Sequence, residues 1–142
     1  MAFREKMAWF TLIGFILTYA VYFGIAAPSV AFGRDNMLDI VWTFGPVAAA
    51  HGLISMIGSA TIAIAARRDA RNIADERDRA IDRKAISVAY YVMLVGVLIV
   101  GVAGPFTMQP YQIVNLSLAV IVICQIIHDV LVIVGYRRGS HG

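Results

Sequence analysis

Four apolar stretches, Met7 to Ala27, Leu38 to Ala66, Ile86 to Ala103 and Tyr111 to Tyr136, make up most of this sequence. Each is long enough to cross the roughly 30 Å hydrocarbon core of a bilayer as a helix. Lipid offers no water to a free N–H or C=O, so a spanning segment must satisfy its own backbone, which only helices and closed barrels do. The 142 residues are 60% hydrophobic and only 15% charged, with a mean hydropathy of +0.76, well outside the range of an ordinary soluble domain. The expectation is an all-α membrane protein, one domain over residues 1–142, folded as a four-transmembrane-helix bundle. Four spans leave no length for a separate soluble catalytic domain.

The segments between the spans set an expected orientation. Pro28, Gly33, Arg34, Asp35 and Asn36 make the first turn, and Gly104, Pro105 and Pro110 the third; the second, residues 67–85, is long and charged. Positive residues are retained on the cytoplasmic side. Arg4 and Lys6 precede the first span, seven basic residues lie from Arg67 to Lys84, and Arg137 with Arg138 follow the fourth, against Arg34 alone on the other face. Both termini and the charged loop are therefore expected in the cytoplasm, with the chain in a bacterial inner membrane. Arg4 and Lys6 ahead of an apolar run that ends near Ser29-Val30-Ala31 also look like a secretory signal. The run of about 20 residues exceeds the usual apolar region of about 7–15, which favours a retained span.

The halves can be read as two parallel helical hairpins. Ala27-Pro28 and Gly104-Pro105 close the first and third spans, and Arg67-Arg68 and Arg137-Arg138 close the second and fourth. Shared topology explains this likeness as well as duplication does.

From Arg67 to Lys84 seven basic and five acidic residues alternate in sign, the pattern of a solvated helix laced with ion pairs. Asp75 is the expected N-cap, with Glu76 and Asp78 in the first turn, where the helix dipole favours negative charge. Asp75 with Arg79 (i,i+4) and Arg79 with Asp82 (i,i+3) are spaced to pair. The third span is thus predicted to begin in the cytoplasm, several turns ahead of the membrane. A bland role is to solubilise this face and fix orientation. The functional one is a docking surface for a soluble partner, formed by Asp75, Glu76, Arg77, Asp78, Arg79, Asp82 and Arg83.

The run Asp75-Glu76-Arg77-Asp78, followed by span, polar turn, span and a closing Tyr136-Arg137-Arg138-Gly139, together with the opening Phe3-Arg4-Glu5-Lys6 and Ala8-Trp9, resembles a family of small bacterial four-span membrane proteins of unknown function. Members are often encoded beside a small helix-turn-helix regulator. The resemblance implies a membrane-side modulator of such a regulator and brings no catalytic residues. The fourth span departs from the family in carrying Cys124, Gln125, His128 and Asp129 where those proteins are mostly apolar and small.

Ionisable groups inside spans are functional candidates. Ser117, Cys124, Gln125, His128 and Asp129 share one arc of the fourth span at 100° per residue, so this face is expected to meet protein or water. On the second span Ala48, Gly52, Ser55, Ser59 and Ala63 form a stripe of small residues suited to close helix approach, with His51 at its border and Ser55 on its own face. Hydrogen bonding between helices is the simplest role for these groups. A small transporter or ligand-binding bundle using His51, His128 and Asp129 is the alternative function, and a haem- or quinone-associated membrane anchor the third. Haem fits poorly because His51 lies about 24 Å from Arg67 and His128 about 13 Å from Arg137 along their helices. No cofactor or metal is otherwise expected, and no nucleophile, phosphate loop or carboxylate pair suggests an enzyme.

The leading expectation is an accessory or regulatory protein. Its partners would be the bilayer, a second copy or a cytoplasmic protein, with no direct contact to nucleic acid. Cys124, the sole cysteine, reads as a small core hydrophobe. Trp9, Tyr90 and Tyr91 are expected at one interface and Trp42 and Tyr111 at the other. Pro46 predicts that Leu38 to Phe44 is an interfacial segment and that the regular helix of the second span starts near Gly45.

Overall fold

A computed structural model describes residues 3–26, 37–65 and 76–138. Helix α1, Phe3–Val21, runs into a π-helical turn, Tyr22–Ala26; α2 spans Met37–Ala65; α3, Glu76–Leu98, passes through a second π-helical turn, Ile99–Ala103, into the short α4, Gly104–Thr107; and α5 spans Pro110–Arg138. Four segments, Arg4–Gly24, Val41–Ala65, Glu76–Thr107 and Pro110–Arg138, are long and apolar enough to cross a membrane. The chain is an all-α, multi-pass membrane protein with the architecture of a four-helix bundle.

Local chemistry explains the ends of these elements. Only Met108 and Gln109 separate α4 from α5. The Gln109 N–H donates to Gln112 Oε1 at 2.9 Å, while the Gln112 and Ile113 amides return to Gln109 O. With Pro110 in the first helical position this is a glutamine-closed N-terminus. Pro105 has no N–H for the Gly101 carbonyl, and the helix widens to π geometry just ahead of it. Tyr22-Phe23-Gly24-Ile25-Ala26 and Ile99-Val100-Gly101-Val102-Ala103 are both π-helical, with glycine and alanine at matching places and a proline two residues on. The two halves share this local structure.

Pro46 does not divide the second span. Helix α2 is continuous from Met37 to Ala65 with Pro46 inside it, against the expectation of a regular helix beginning near Gly45. A proline deletes one backbone hydrogen bond, and the rest of a long membrane helix carries the turn through. The charged segment is helical from Glu76 onward, continuous with the third span. The proposed cap Asp75, the pair Arg67-Arg68, the first turn with Arg34, the triplet Ser29-Val30-Ala31 and His141 fall outside the described residues.

The closely packed pairs α1–α2, α1–α5 and α3–α5 are antiparallel. Glu5 meets Arg137 at one end of the α1–α5 pair and Tyr22 meets Asn115 at the other. Along α3–α5, Ile81 lies on Gly135, Gly96 on Val120 and Gly104 on Ile113; Phe10 of α1 lies on Gly58 of α2. A Cβ at Gly135 would stand 2.6 Å from Ile81 Cγ2, and one at Gly58 would overlap the Phe10 ring, so these glycines set how closely the helices approach. The order across the bundle is α2, α1, α5, α3, with α1 and α5 innermost. A two-fold relation between hairpins would demand an α2–α3 interface to match α1–α5, and the described residues form none of that extent.

Two apolar clusters fill the α1–α5 seam. Ala8, Leu12, Ala85, Val132 and Ile133 pack near the charged end. Tyr19, Tyr22 and Val122 pack near the other, with Phe44 and Val47 of α2 against them. The Tyr22 hydroxyl, on a completely buried residue, donates to Asn115 Oδ1 at 2.7 Å. Elsewhere the large side chains point outward, as a lipid-facing surface requires: Trp42 is exposed, as are Ile57, Tyr91 and Val97.

Candidate functional site at the charged end

Helices α1 and α3 both lean on α5 but part from one another at the end where α1 and α3 begin and α5 finishes. The wedge between them is a cleft of about 270 Å³. Its geometry follows from helical spacing. Asp78 and Asp82 stand one turn apart on α3, and Gln125, Asp129, Val132 and Tyr136 recur at three- or four-residue steps on α5, so each set forms a stripe facing the gap.

Contacts across the wedge join residues far apart in sequence. The Tyr136 hydroxyl donates to Asp78 Oδ1 at 2.5 Å, and Arg4 Nε lies 3.7 Å from Asp78 Oδ2. Outside the cleft, Arg137 Nε lies 3.7 Å from Glu5 Oε1, on a carboxylate only 11% exposed. The same guanidinium lies over the Trp9 ring at 5.3 Å, a cation–π contact. Trp9, an expected interfacial residue, is half-buried under Arg137, with its indole N–H buried and unpartnered. Arg4, Glu5, Trp9, Asp78, Tyr136 and Arg137 meet at this one end of the molecule. Sequence reading took the basic members only as orientation signals, and spacing gives no hint of contacts between separate helices.

Asp129 forms the cleft floor, with only 2% of the residue exposed. Its Oδ1 accepts from Gln125 Nε2 at 3.0 Å, and His128 Nδ1 lies 3.0 Å from the same oxygen. In the tautomer with the ring proton on Nδ1, His128 donates to this oxygen. The other His128 nitrogen, Nε2, lies 3.7 Å from Asp82 Oδ1, placing the imidazole between two carboxylates. Asp129 Oδ2 is buried and without a hydrogen-bond partner. The Thr11 hydroxyl nearby is spent on its own helix, at Met7 O and Ala8 O.

The seven residues expected to form a docking surface are sorted by this geometry. Asp78 and Asp82 turn toward the cleft, and Asp82 meets His128 in place of the expected Arg79. Glu76, Arg77, Arg79 and Arg83 are exposed, as is Lys84; Arg77 also reaches the Tyr136 carbonyl at 3.5 Å. Helix α3 therefore has an acidic inner edge and a basic outer edge. Asp75 lies outside the described residues.

The intramembrane polar residues divide into two groups. Gln125, His128 and Asp129 belong to the cleft, whereas His51 and Ser55 lie between α1 and α2. His51 is buried, with Nδ1 3.2 Å from Thr18 Oγ1, Nε2 3.3 Å from Ser55 Oγ and its ring edge-on to Phe15 at 4.4 Å. Its contacts on α1, Phe15, Thr18 and Tyr19, lie roughly 6–12 Å along the helix from Thr11, the cleft-lining residue nearest to them. Among the described residues no three His, Cys, Asp or Glu side chains are grouped to hold a metal ion. Cys124 is buried and unpaired.

A second cavity, of about 280 Å³, continues along the α3–α5 seam from the first. It is walled by Ile86, Ala89, Tyr90, Met93, Ile121 and Cys124, and shares Gln125 and His128 with the cleft. Sequence periodicity found the polar arc of α5 but gave no sign of this apolar extension, which exists only once α3 is laid against α5. Compared with protein-family models, with curated proteins and with solved structures, the chain matches none.

Proposed function

We propose that this chain is an accessory or regulatory protein of a bacterial inner membrane. Its charged end faces the cytoplasm, and the outer edge of α3 docks an acidic surface of a soluble partner. The observation behind this reading is the sorting of α3. Asp78 and Asp82 turn toward the cleft, where they meet Tyr136, Arg4 and His128, and Arg77, Arg79, Arg83 and Lys84 are exposed with Glu76 as the one fully exposed acid beside them among the described residues. Complementary charge steers encounter and selects partners. The concentration of basic residues at this end supports a cytoplasmic placement, and the family resemblance suggests a small helix-turn-helix regulator as the partner. The test is recovery of a soluble protein by in-cell crosslinking to a tagged chain, compared with the Arg79→Glu/Arg83→Glu double variant. Loss of that protein with the bundle intact supports docking at this edge; undiminished recovery removes it.

A second reading, ligand binding by the bundle itself, is favoured by the unpartnered Asp129 oxygen in the cleft floor. An unsatisfied polar atom in a dry site is costly, and a ligand with a hydrogen to donate relieves that cost. His51 has no part in this reading, since its ring nitrogens are already engaged by Thr18 and Ser55.

A further inference from the structure

We infer that the two adjoining cavities form one site for an amphipathic cation, a primary ammonium with an apolar tail; this rests on the ligand-binding reading. Three features lead there. The first is Asp129, a cleft-lining carboxylate only 2% exposed whose Oδ2 is buried and lacks a donor. The second is charge. The cleft holds the carboxylates of Asp78, Asp82 and Asp129 against Arg4 and the His128 imidazole, and Arg4 is engaged by Asp78. Three carboxyl groups thus line the cleft against one guanidinium and one imidazole, a lining suited to a cation. The third is continuity: the apolar groove of Ile86, Ala89, Met93 and Ile121 begins where Gln125 and His128 end the polar cleft. Together the cavities have the size of a small-molecule site, roughly 300–1,000 Å³, apolar in lining with a few convergent polar groups.

Each part of the ligand answers to a part of the site. An ammonium carries several N–H donors and no acceptor, so one hydrogen is directed to the Asp129 carboxyl group on the cleft floor and another to Asp82 at the rim. The tail lies along α3 and α5, displacing lipid or water from the groove. A divalent metal suits the site less well, because His128 stands between the two carboxylates and no three ligating groups converge.

The test uses the full chain in phosphatidylcholine nanodiscs. Dansylcadaverine, a primary alkylammonium with an apolar fluorescent tail, is titrated beside its uncharged analogue dansyl-pentylamide, with butylammonium binding followed by calorimetry. Saturable dansylcadaverine binding is expected, weakened about tenfold or more by Asp129→Asn, as the loss of a charge-assisted hydrogen bond requires. Because Asp129→Asn acts on a buried residue, Asp82→Asn at the half-exposed rim is the second variant, with a several-fold loss expected. Ala89→Trp, which fills the groove, should weaken dansylcadaverine and spare butylammonium. Equal binding of the charged and uncharged dansyl compounds, or dansylcadaverine binding indifferent to both Asp82→Asn and Ala89→Trp in folded protein, overturns the inference. Asp129-dependent butylammonium binding no weaker than that of dansylcadaverine overturns the amphipathic class but keeps ligand binding; no binding of either ends both.

Discussion

Tyr136 and Asp78, 58 residues apart, join the last turn of α5 to the first described turn of α3 through a hydroxyl-to-carboxylate hydrogen bond of 2.5 Å. This bond holds the acidic edge of α3 inward. Tyr136→Phe keeps the ring and deletes the donor, and a hydrogen bond to a charged group contributes about 1.5–3 kcal/mol when buried and less where water competes. We expect a lower apparent melting temperature in detergent and greater protease access to the first turns of α3. An unchanged melting temperature would contradict that role for the bond.

Two glycines on α2 make opposite predictions. Gly58 faces the Phe10 ring, whereas nothing lies within 4 Å of a Cβ placed at Gly52. Gly58→Ala should destabilise the bundle by about 1–3 kcal/mol through overpacking, and Gly52→Ala should be neutral or slightly stabilising because alanine is the better helix former. Equal effects in thermal unfolding would mean that α1 and α2 do not pack as described.

His51 is predicted to be structural. His51→Ala removes two hydrogen bonds and an edge-on contact with Phe15, a cost of about 1–3 kcal/mol by the usual value of buried polar and aromatic contacts. Its melting temperature should fall while dansylcadaverine affinity holds. Loss of affinity at full stability would tie His51 to the cleft.

Arg137 clamps the end of α5 to the start of α1 through Glu5 and Trp9. Arg137→Met keeps the apolar stem and removes the charge. It should expose the Glu5 carboxylate and quench Trp9 fluorescence more readily with acrylamide; quenching equal to the native protein would contradict the clamp.

Much of this architecture is legible in the residues themselves. Spans announce themselves because a run of apolar side chains as long as a bilayer is thick has only one solvent to live in. The polar arc of Gln125, His128 and Asp129 is equally legible, since helical periodicity places the three on one face before any neighbour is known. What escapes is relational. Asp82 reads as a local partner of Arg79 by spacing, yet His128 of another helix takes it. Arg4, Glu5 and Arg137 read as topology signals, and only the antiparallel seam of α1 and α5 makes them partners. Pro46 reads as a helix start, because sequence rules weigh the lost hydrogen bond and not the turns on either side that hold α2 together.

The proposed orientation puts the basic edge of α3 in the cytoplasm and the α4–α5 turn on the opposite side. Single cysteines are placed by Arg79→Cys and by Gln109→Cys, both at exposed positions, in a Cys124→Ala background, and labelled with a membrane-impermeant maleimide. Position 109 should label in cells whose inner membrane is intact, and position 79 only after that membrane is permeabilised. Labelling of position 79 in intact cells, or protection of position 109 there, would contradict the orientation and with it the cytoplasmic docking edge.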